Sequence, residues 1–121
     1  MDEDRLAELR HLAVTGRRHE LPIEQARYWA HNRIVWAGPI EVPGVLDDLA
    51  KELGLLLDQQ GFRTEKREFA AHVTLVRDAR APDGLPPLPA TRWPVEEVVL
   101  VESQPAESGR RYEVRQRYGL A

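Results

Sequence analysis

The positions of apolar residues along the chain predict two helices. Leu6, Leu9 and Ala13 lie at i, i+3 and i+7, which places them on one face of a helix over residues 3–13. A longer helical pattern covers residues 43–60, where a proline suits the first turn and a glycine follows the last residue. The apolar stripe of this second helix consists of Leu46, Leu49, Leu53, Leu56 and Leu57.

The remaining apolar runs are short and rich in β-branched and aromatic residues, which is typical of strands. Pro22 lies in the first run and favours an edge position, because proline has no backbone N–H to donate. The last two runs flank a turn with a proline and a glycine, which favours an antiparallel hairpin. A proline-rich loop is predicted over residues 78–92. The predicted strands cover residues 20–28, 33–37, 70–76, 94–102 and 112–118, and the pattern predicts an α+β fold with a largely antiparallel sheet.

Composition and charge exclude several classes of function. With 42% hydrophobic and 31% charged residues, the 121-residue chain is predicted to form one globular domain rather than a disordered segment. The absence of cysteine excludes a disulfide framework, a zinc–thiolate site and a thiol nucleophile. The four histidines show no metal-ligand spacing, so no metal and no cofactor are expected. An acidic N-terminus and the lack of a long apolar run predict a cytoplasmic protein that does not contact a membrane.

One segment places groups with acid–base and anion-binding chemistry close together. Side chains alternate along a strand, so His72 and Thr74 are predicted to share a face. Imidazole exchanges protons near neutral pH, and a threonine hydroxyl donates to phosphate oxygens. Arg77 is a candidate anion contact, although strict alternation points it to the opposite face. The pattern alone leaves open a purely structural role for His72. The apolar residues predicted to face the second helix are Ala71, Val73 and Leu75.

The same segment resembles a known family. Phe69-x-x-His72-Val73-Thr74-Leu75-x-Arg77 looks like the second H-x-T motif of the 2H phosphoesterases. It is most similar to the bacterial RNA 2',3'-cyclic phosphodiesterases, also called the 2'-5' RNA ligase family. Further similar segments, residues 28–39, 61–69 and 98–114, occur in the order that the family has. The resemblance therefore covers nearly the whole chain.

The resemblance implies a fold and a reaction. The family fold has two lobes, each an antiparallel sheet with outer helices, and each lobe supplies one H-x-T motif. One histidine acts as general base and the other as general acid while a 2',3'-cyclic phosphate at an RNA end is opened without a metal. Carried over to this chain, His72 is an acid–base catalyst and Thr74 a phosphate donor, while Arg77 and Phe69 contact the substrate. The implied partners are RNA ends or nucleotides with a 2',3'-cyclic phosphate.

The sequence departs from the family because it contains no second H-x-T or H-x-S motif. The first motif of the family normally precedes a helix like that of residues 3–13. We therefore expect residues 1–121 to form a single domain that is truncated at its N-terminus. One imidazole cannot readily act as base and acid on opposite sides of an in-line displacement, so the chain alone is expected to be a poor or inactive diesterase.

Four explanations of the missing motif remain open at this point. The start codon is placed too late, or the chain is a fragment of a longer one. Alternatively, a homodimer formed through an exposed sheet edge brings together two copies of His72 and Thr74. In the last explanation, the chain is a non-catalytic module that binds RNA ends or nucleotides.

Overall fold

The computed structural model of the chain describes residues 3–65 and 68–121. All its strand pairs are antiparallel, which confirms the predicted α+β class. The helices are α1 (Glu3–Leu9) and α2 (Gly44–Gln59). The strands are β1 (His19–Ile23), β2 (Gln25–Trp29), β3 (Ile34–Gly38), β4 (Val73–Val76), β5 (Thr91–Val95), β6 (Glu97–Pro105) and β7 (Arg110–Gly119). Among the described residues, no helix has the length and apolarity needed to cross a membrane. The cytoplasmic location stays a prediction.

The described residues group into two compact units, each with its own sheets. The three-strand unit comprises residues 19–47 and 68–95, and it contains the sheet β2-β3-β4 and the pair β1-β5. The hairpin unit comprises residues 3–18, 48–65 and 96–121, and it contains the hairpin β6-β7. The prediction of a single truncated domain stays a prediction.

The three-strand unit has a compact apolar core. Partly buried side chains from both its sheets and from the start of α2, among them Leu46 and Val73, pack against this core. Removing these side chains from water is the main force that holds the two sheets together. The buried core residues are Leu21, Ile23, Ala37 and Ala71.

The single strand predicted over residues 20–28 is two strands in two sheets. β1 pairs with β5, whereas β2 pairs with β3. The break falls at Glu24, whose backbone N–H donates to the Gly38 carbonyl at 2.9 Å while its carboxylate accepts the Ile40 N–H at 3.1 Å. The β1-β5 sheet has only two strands among the described residues, so the predicted edge position of Pro22 is confirmed.

The strand predicted over residues 94–102 is also divided. β5 ends at Val95 and β6 begins at Glu97, while the carbonyl of Glu96 between them accepts the Leu120 N–H at 2.9 Å. The predicted loop is shorter than expected because β5 begins at Thr91. The predicted hairpin is confirmed as β6-β7, and its turn contains Gly109 at φ +85°.

The two helices differ in how well their predicted ends agree with the structure. α2 has the predicted bounds to within a residue at each end, and Gly61 after it has φ +83°. α1 ends at Leu9, four residues early, and Ala13 is exposed. The carbonyl of Leu9 accepts a hydrogen bond from the Tyr118 hydroxyl, so it is occupied by a side chain from β7 rather than by a further helical turn.

Candidate active site on the three-strand unit

The strand predicted over residues 70–76 is shorter in the structure, where β4 begins at Val73. His72 therefore lies directly before β4 rather than within it. Its Nδ1 lies 2.8 Å from the backbone carbonyl oxygen of Ala70. Because a carbonyl only accepts hydrogen bonds, Nδ1 must carry the proton in this contact. In the neutral imidazole, Nε2 then holds the free lone pair and is able to accept a proton.

Two tryptophans surround the His72 ring on the face of the sheet. The Trp29 ring meets the His72 ring edge-on at a centroid distance of 4.7 Å, and the Trp36 ring lies at 6.4 Å. The two indoles lie 4.7 Å apart. Trp29 also lies 5.9 Å from the ring of His31 in the following turn. These contacts fix the orientation of an imidazole that remains exposed to solvent.

Thr74 lies on the same face of the sheet as His72, as the alternation predicts. Its Cα partner on β3 is Trp36, whose ring contacts His72. Paired residues of an antiparallel ladder point to the same side. The imidazole and the hydroxyl that the sequence predicted as neighbours therefore share one face.

A β-bulge in β4 changes the faces of the residues after Thr74. Thr74 pairs with Trp36 and Val76 pairs with Val35, so Leu75 is one extra residue on β4. The prediction that Leu75 faces the second helix is wrong: its side chain is 51% exposed. Of the other two residues of that set, Ala71 is buried in the core, and Val73 packs against the core together with Leu46 of α2.

The bulge also alters the position expected for Arg77. Val76 pairs with the core residue Val35, and the next side chain along the chain alternates back toward the face of Thr74. Arg77 follows the end of β4 and is exposed. Strict alternation from His72 pointed Arg77 to the opposite face because it did not include the extra residue Leu75.

The turn after Arg77 is tied to the turn between β2 and β3. The Ala79 N–H donates to the Arg33 carbonyl at 2.9 Å, and the Tyr28 hydroxyl donates to the Ala79 carbonyl at 3.0 Å. Arg33 and Asp78 both have left-handed backbones, at φ 57° and 53°. Such conformations persist in non-glycine residues where surrounding contacts hold them.

Phe69 lies in the irregular segment before His72 and is 40% exposed. Among the described residues, the aromatic contacts of His72 come from Trp29 and Trp36 and not from Phe69.

These tryptophans are site residues that the sequence did not identify. Trp36 is the Cα partner of Thr74, and this pairing depends on a strand register that tertiary packing sets. Residues 3–65 and 68–121 contain no group of three or more histidines and carboxylates placed to hold a metal ion.

A groove on the described surface lies away from these residues. It runs along α2, has a volume of about 370 Å³, and is lined by Lys51, Glu52 and Leu55 among others. His72, Thr74, Arg77 and Phe69 do not line it. The groove is shallow and open, whereas the face around His72 has the groups that acid–base chemistry requires, so we place the candidate site on that face.

Known proteins share sequence similarity with the chain. It is 33% identical over 102 residues to RNA 2',3'-cyclic phosphodiesterase of Escherichia coli strain K12. The chain is similar to the 2H phosphoesterases. Its match covers 83% of this chain and 57% of that relative, so the chain spans little more than half of the relative's length. The chain matches no protein-family model.

Solved structures of 2H phosphoesterases have the same fold. A crystal structure of a phosphoesterase matches the whole chain with a TM-score of 0.85 at 27% identity and is covered over 71% of its length. Escherichia coli LigT in complex with 3'-AMP matches with a TM-score of 0.83 at 27% identity, again over the whole chain and 71% of LigT. LigT has also been crystallised with NADP+ and with ATP. The fold and the family resemblance expected from the sequence are confirmed, whereas truncation stays a prediction.

Proposed function

We propose that this chain supplies catalytic groups for opening 2',3'-cyclic phosphates at RNA ends. The observation that carries the proposal is the fixed imidazole of His72, which shares a sheet face with the Thr74 hydroxyl. The similarity to the RNA 2',3'-cyclic phosphodiesterase of Escherichia coli supports the same reaction class. A 2H phosphoesterase that has lost turnover and only binds nucleotides is the alternative, and the experiment below distinguishes it.

The reaction requires two proton transfers on opposite sides of phosphorus. Water attacks the cyclic phosphate, the bond from phosphorus to the ribose 3' oxygen breaks, and a 2'-phosphate remains. A base takes one proton from the attacking water, and an acid gives one proton to the departing 3' oxygen. Nε2 of His72 performs one of these transfers, since Nδ1 is held by the Ala70 carbonyl. The Thr74 hydroxyl donates a hydrogen bond to a phosphate oxygen whose charge grows in the transition state.

Arg77 and Phe69 are proposed as substrate contacts. The bulge at Leu75 supports a substrate-binding role for Arg77, because the extra residue directs the Arg77 side chain toward the face of Thr74. A guanidinium there binds phosphate through parallel hydrogen bonds. Phe69, exposed beside His72 in the chain, is proposed to contact the nucleobase. Arg77→Gln is expected to raise KM about tenfold by removing one charged contact.

The test is hydrolysis of a nucleoside 2',3'-cyclic phosphate by the purified chain. His72→Ala is expected to remove at least about 99% of the turnover, since it deletes an acid–base group. Thr74→Val should lower kcat about tenfold or more, whereas Thr74→Ser keeps the hydroxyl and most of the rate. His11→Ala removes an exposed histidine from the end of α1 and is the matched control. Turnover that survives His72→Ala contradicts the proposal, and binding without turnover by the wild type favours the alternative.

A second copy of the chain is proposed to supply the missing acid–base group. In the hairpin unit, β6 and β7 have no further partner strand among the described residues. One face of this hairpin carries four apolar residues that are 38–63% exposed: Val99, Val101, Tyr112 and Val114. Open strand edges with an apolar face favour pairing with another chain. A second copy is the occupant we propose because it also brings a second His72 to the reaction.

Sedimentation at increasing protein concentration tests this pairing. The wild type is expected to become dimeric, and Val101→Lys should hold it as a monomer by placing a charge on the apolar face. Leu55→Lys changes an equally apolar exposed residue on α2 and is the control. A monomer at every concentration contradicts the homodimer.

A further inference from the structure

Arg27 occupies a place on the candidate face that no motif assigns. Its Cα partner is Trp36, and the Cα partner of Trp36 on the other side is Thr74. Because paired residues point to the same side of an antiparallel sheet, Arg27, Trp36 and Thr74 form a row across three strands. Two strand spacings put the backbones of Arg27 and Thr74 about 10 Å apart. In this row, the indole of Trp36 therefore lies between the arginine and the hydroxyl.

The guanidinium of Arg27 is oriented but has no counter-charge among the described residues. Its Nε donates to Oε1 of Gln25 at 3.1 Å, and the side-chain amide of Gln25 donates to the Pro39 carbonyl at 3.1 Å. No described carboxylate lies within ion-pair distance of Arg27, in contrast to Arg92, which pairs with Glu20 at 3.1 Å. An arginine held through Nε keeps both terminal amino groups available for a planar anion.

The row matches the alternation of groups along a nucleic acid strand. A nucleoside is flanked by a phosphate on each side. If the reacting phosphate lies at Thr74 and the terminal nucleoside stacks on Trp36, the phosphate on the other side of this nucleoside lies near Arg27. Aromatic stacking combined with cations along the backbone is the common way to bind single strands.

We propose that Arg27 binds the phosphodiester that precedes the terminal cyclic phosphate. The substrate class is then an oligonucleotide end rather than a mononucleotide. This inference rests on the proposed function, because it takes the reacting phosphate to lie at Thr74. It predicts that a second phosphate raises affinity and that the gain depends on Arg27 alone.

Binding of two product-type ligands tests the proposal without requiring turnover. The ligands are a nucleoside 2'-monophosphate and a dinucleotide with a terminal 2'-phosphate, and their Kd values are measured by calorimetry. The wild type should bind the dinucleotide about tenfold more tightly, as expected for one additional charged contact. Arg27→Gln should abolish this difference and leave the mononucleotide Kd unchanged. It should also reduce the slope of log K against log salt for the dinucleotide by about 0.7.

Two further variants separate a local contact from a general effect of charge. Arg92→Gln removes the same charge from β5 and should change neither Kd. Thr74→Val should weaken both ligands. Equal affinity of the wild type for both ligands, or an equal loss for both in Arg27→Gln, overturns the role of Arg27 while the response of Thr74→Val still supports the proposed function. If the wild type binds neither ligand, the proposed function fails and the inference fails with it.

Discussion

Gly38 lies where β3 passes close to the segment that carries His72. A Cβ at this position would lie 2.7 Å from the Ala71 carbonyl oxygen and 3.0 Å from the Trp36 ring. Gly38→Ala must therefore move backbone or an indole that contacts His72. We expect it to lower the free energy of unfolding by about 1–3 kcal/mol, as overpacking does, and to reduce turnover by displacing His72. Urea denaturation and the cyclic phosphate assay measure the two effects.

Gly54→Ala is the matched control for that substitution. Gly54 lies within α2, and a Cβ there would meet no atom within 4 Å. Alanine in a helix interior should raise the free energy of unfolding by about 0.5–1 kcal/mol with no change in turnover. Equal stability of the two variants would show that Gly38 is not sterically restricted.

Glu52 stabilises the segment between α1 and β1 through its carboxylate. It accepts hydrogen bonds from the Thr15 hydroxyl at 2.5 Å, the Thr15 N–H at 2.8 Å and the Gly16 N–H at 3.1 Å. The hydroxyl of Thr15 first, and the two backbone groups with it, lower the pKa of Glu52 below its usual value. Glu52→Gln should therefore lower the free energy of unfolding at pH 7 by about 1–2 kcal/mol.

The effect of Glu52 should depend on pH in one direction. Because its folded pKa is lowered, its contribution is fully present above the unfolded pKa of about 4.3 and is lost as the pH falls through the lower folded value. The stability difference between wild type and Glu52→Gln should thus shrink in acid. Glu107→Gln, at an exposed carboxylate with no hydrogen bond among the described residues, should show little difference at either pH. A difference for Glu52→Gln that stays constant down to pH 3 contradicts the assignment.

Single residues of the site could be predicted from the sequence where strand alternation is undisturbed. His72 and Thr74 share a face because no bulge lies between them. Arg77 was assigned to the opposite face because the extra residue Leu75 has no signature in the sequence. Arg27 was missed because its significance comes from its Cα partner Trp36, and register between strands is set by tertiary packing.

At the scale of elements, the two tied turns hold the chain that follows β4. Tyr28→Phe removes the hydrogen bond to the Ala79 carbonyl and should cost about 1 kcal/mol of stability. It should also weaken phosphate binding a few-fold, because the turn that positions Arg77 loosens. In the Arg77→Gln background, Tyr28→Phe should have no further effect on affinity. Independent, additive losses in this double-mutant cycle would show that Tyr28 does not act through Arg77.

Element boundaries were predictable only where local chemistry sets them. The ends of α2 agree with the sequence because Pro43 and Gly61 are local signals. The breaks at Glu24 and Glu96 were not predicted, since each depends on a hydrogen bond to a residue distant in sequence, Gly38 or Leu120. α1 ends early for the same reason, because the hydroxyl that occupies the Leu9 carbonyl comes from β7.

At the scale of the whole molecule, the decisive question is how many copies of His72 serve one reaction. The chain contains one H-x-T motif, and in-line displacement needs a base and an acid on opposite sides of phosphorus. If two copies share a site, a dimer with one His72→Ala subunit is inactive. Mixing should then reduce the rate with the square of the wild-type fraction, so that equal amounts give about a quarter of the rate of the same total amount of wild type.

The mixture must be formed so that subunits exchange completely. Wild type and His72→Ala are unfolded together in urea, refolded, and assayed at constant total protein. His11→Ala mixed with wild type is the control and should leave the rate unchanged, because both subunits keep His72. A linear dependence on the wild-type fraction contradicts a shared site, since each copy would then act alone. Loss of turnover in Val101→Lys would indicate pairing through the hairpin, whereas a squared dependence that persists in this variant would indicate pairing elsewhere.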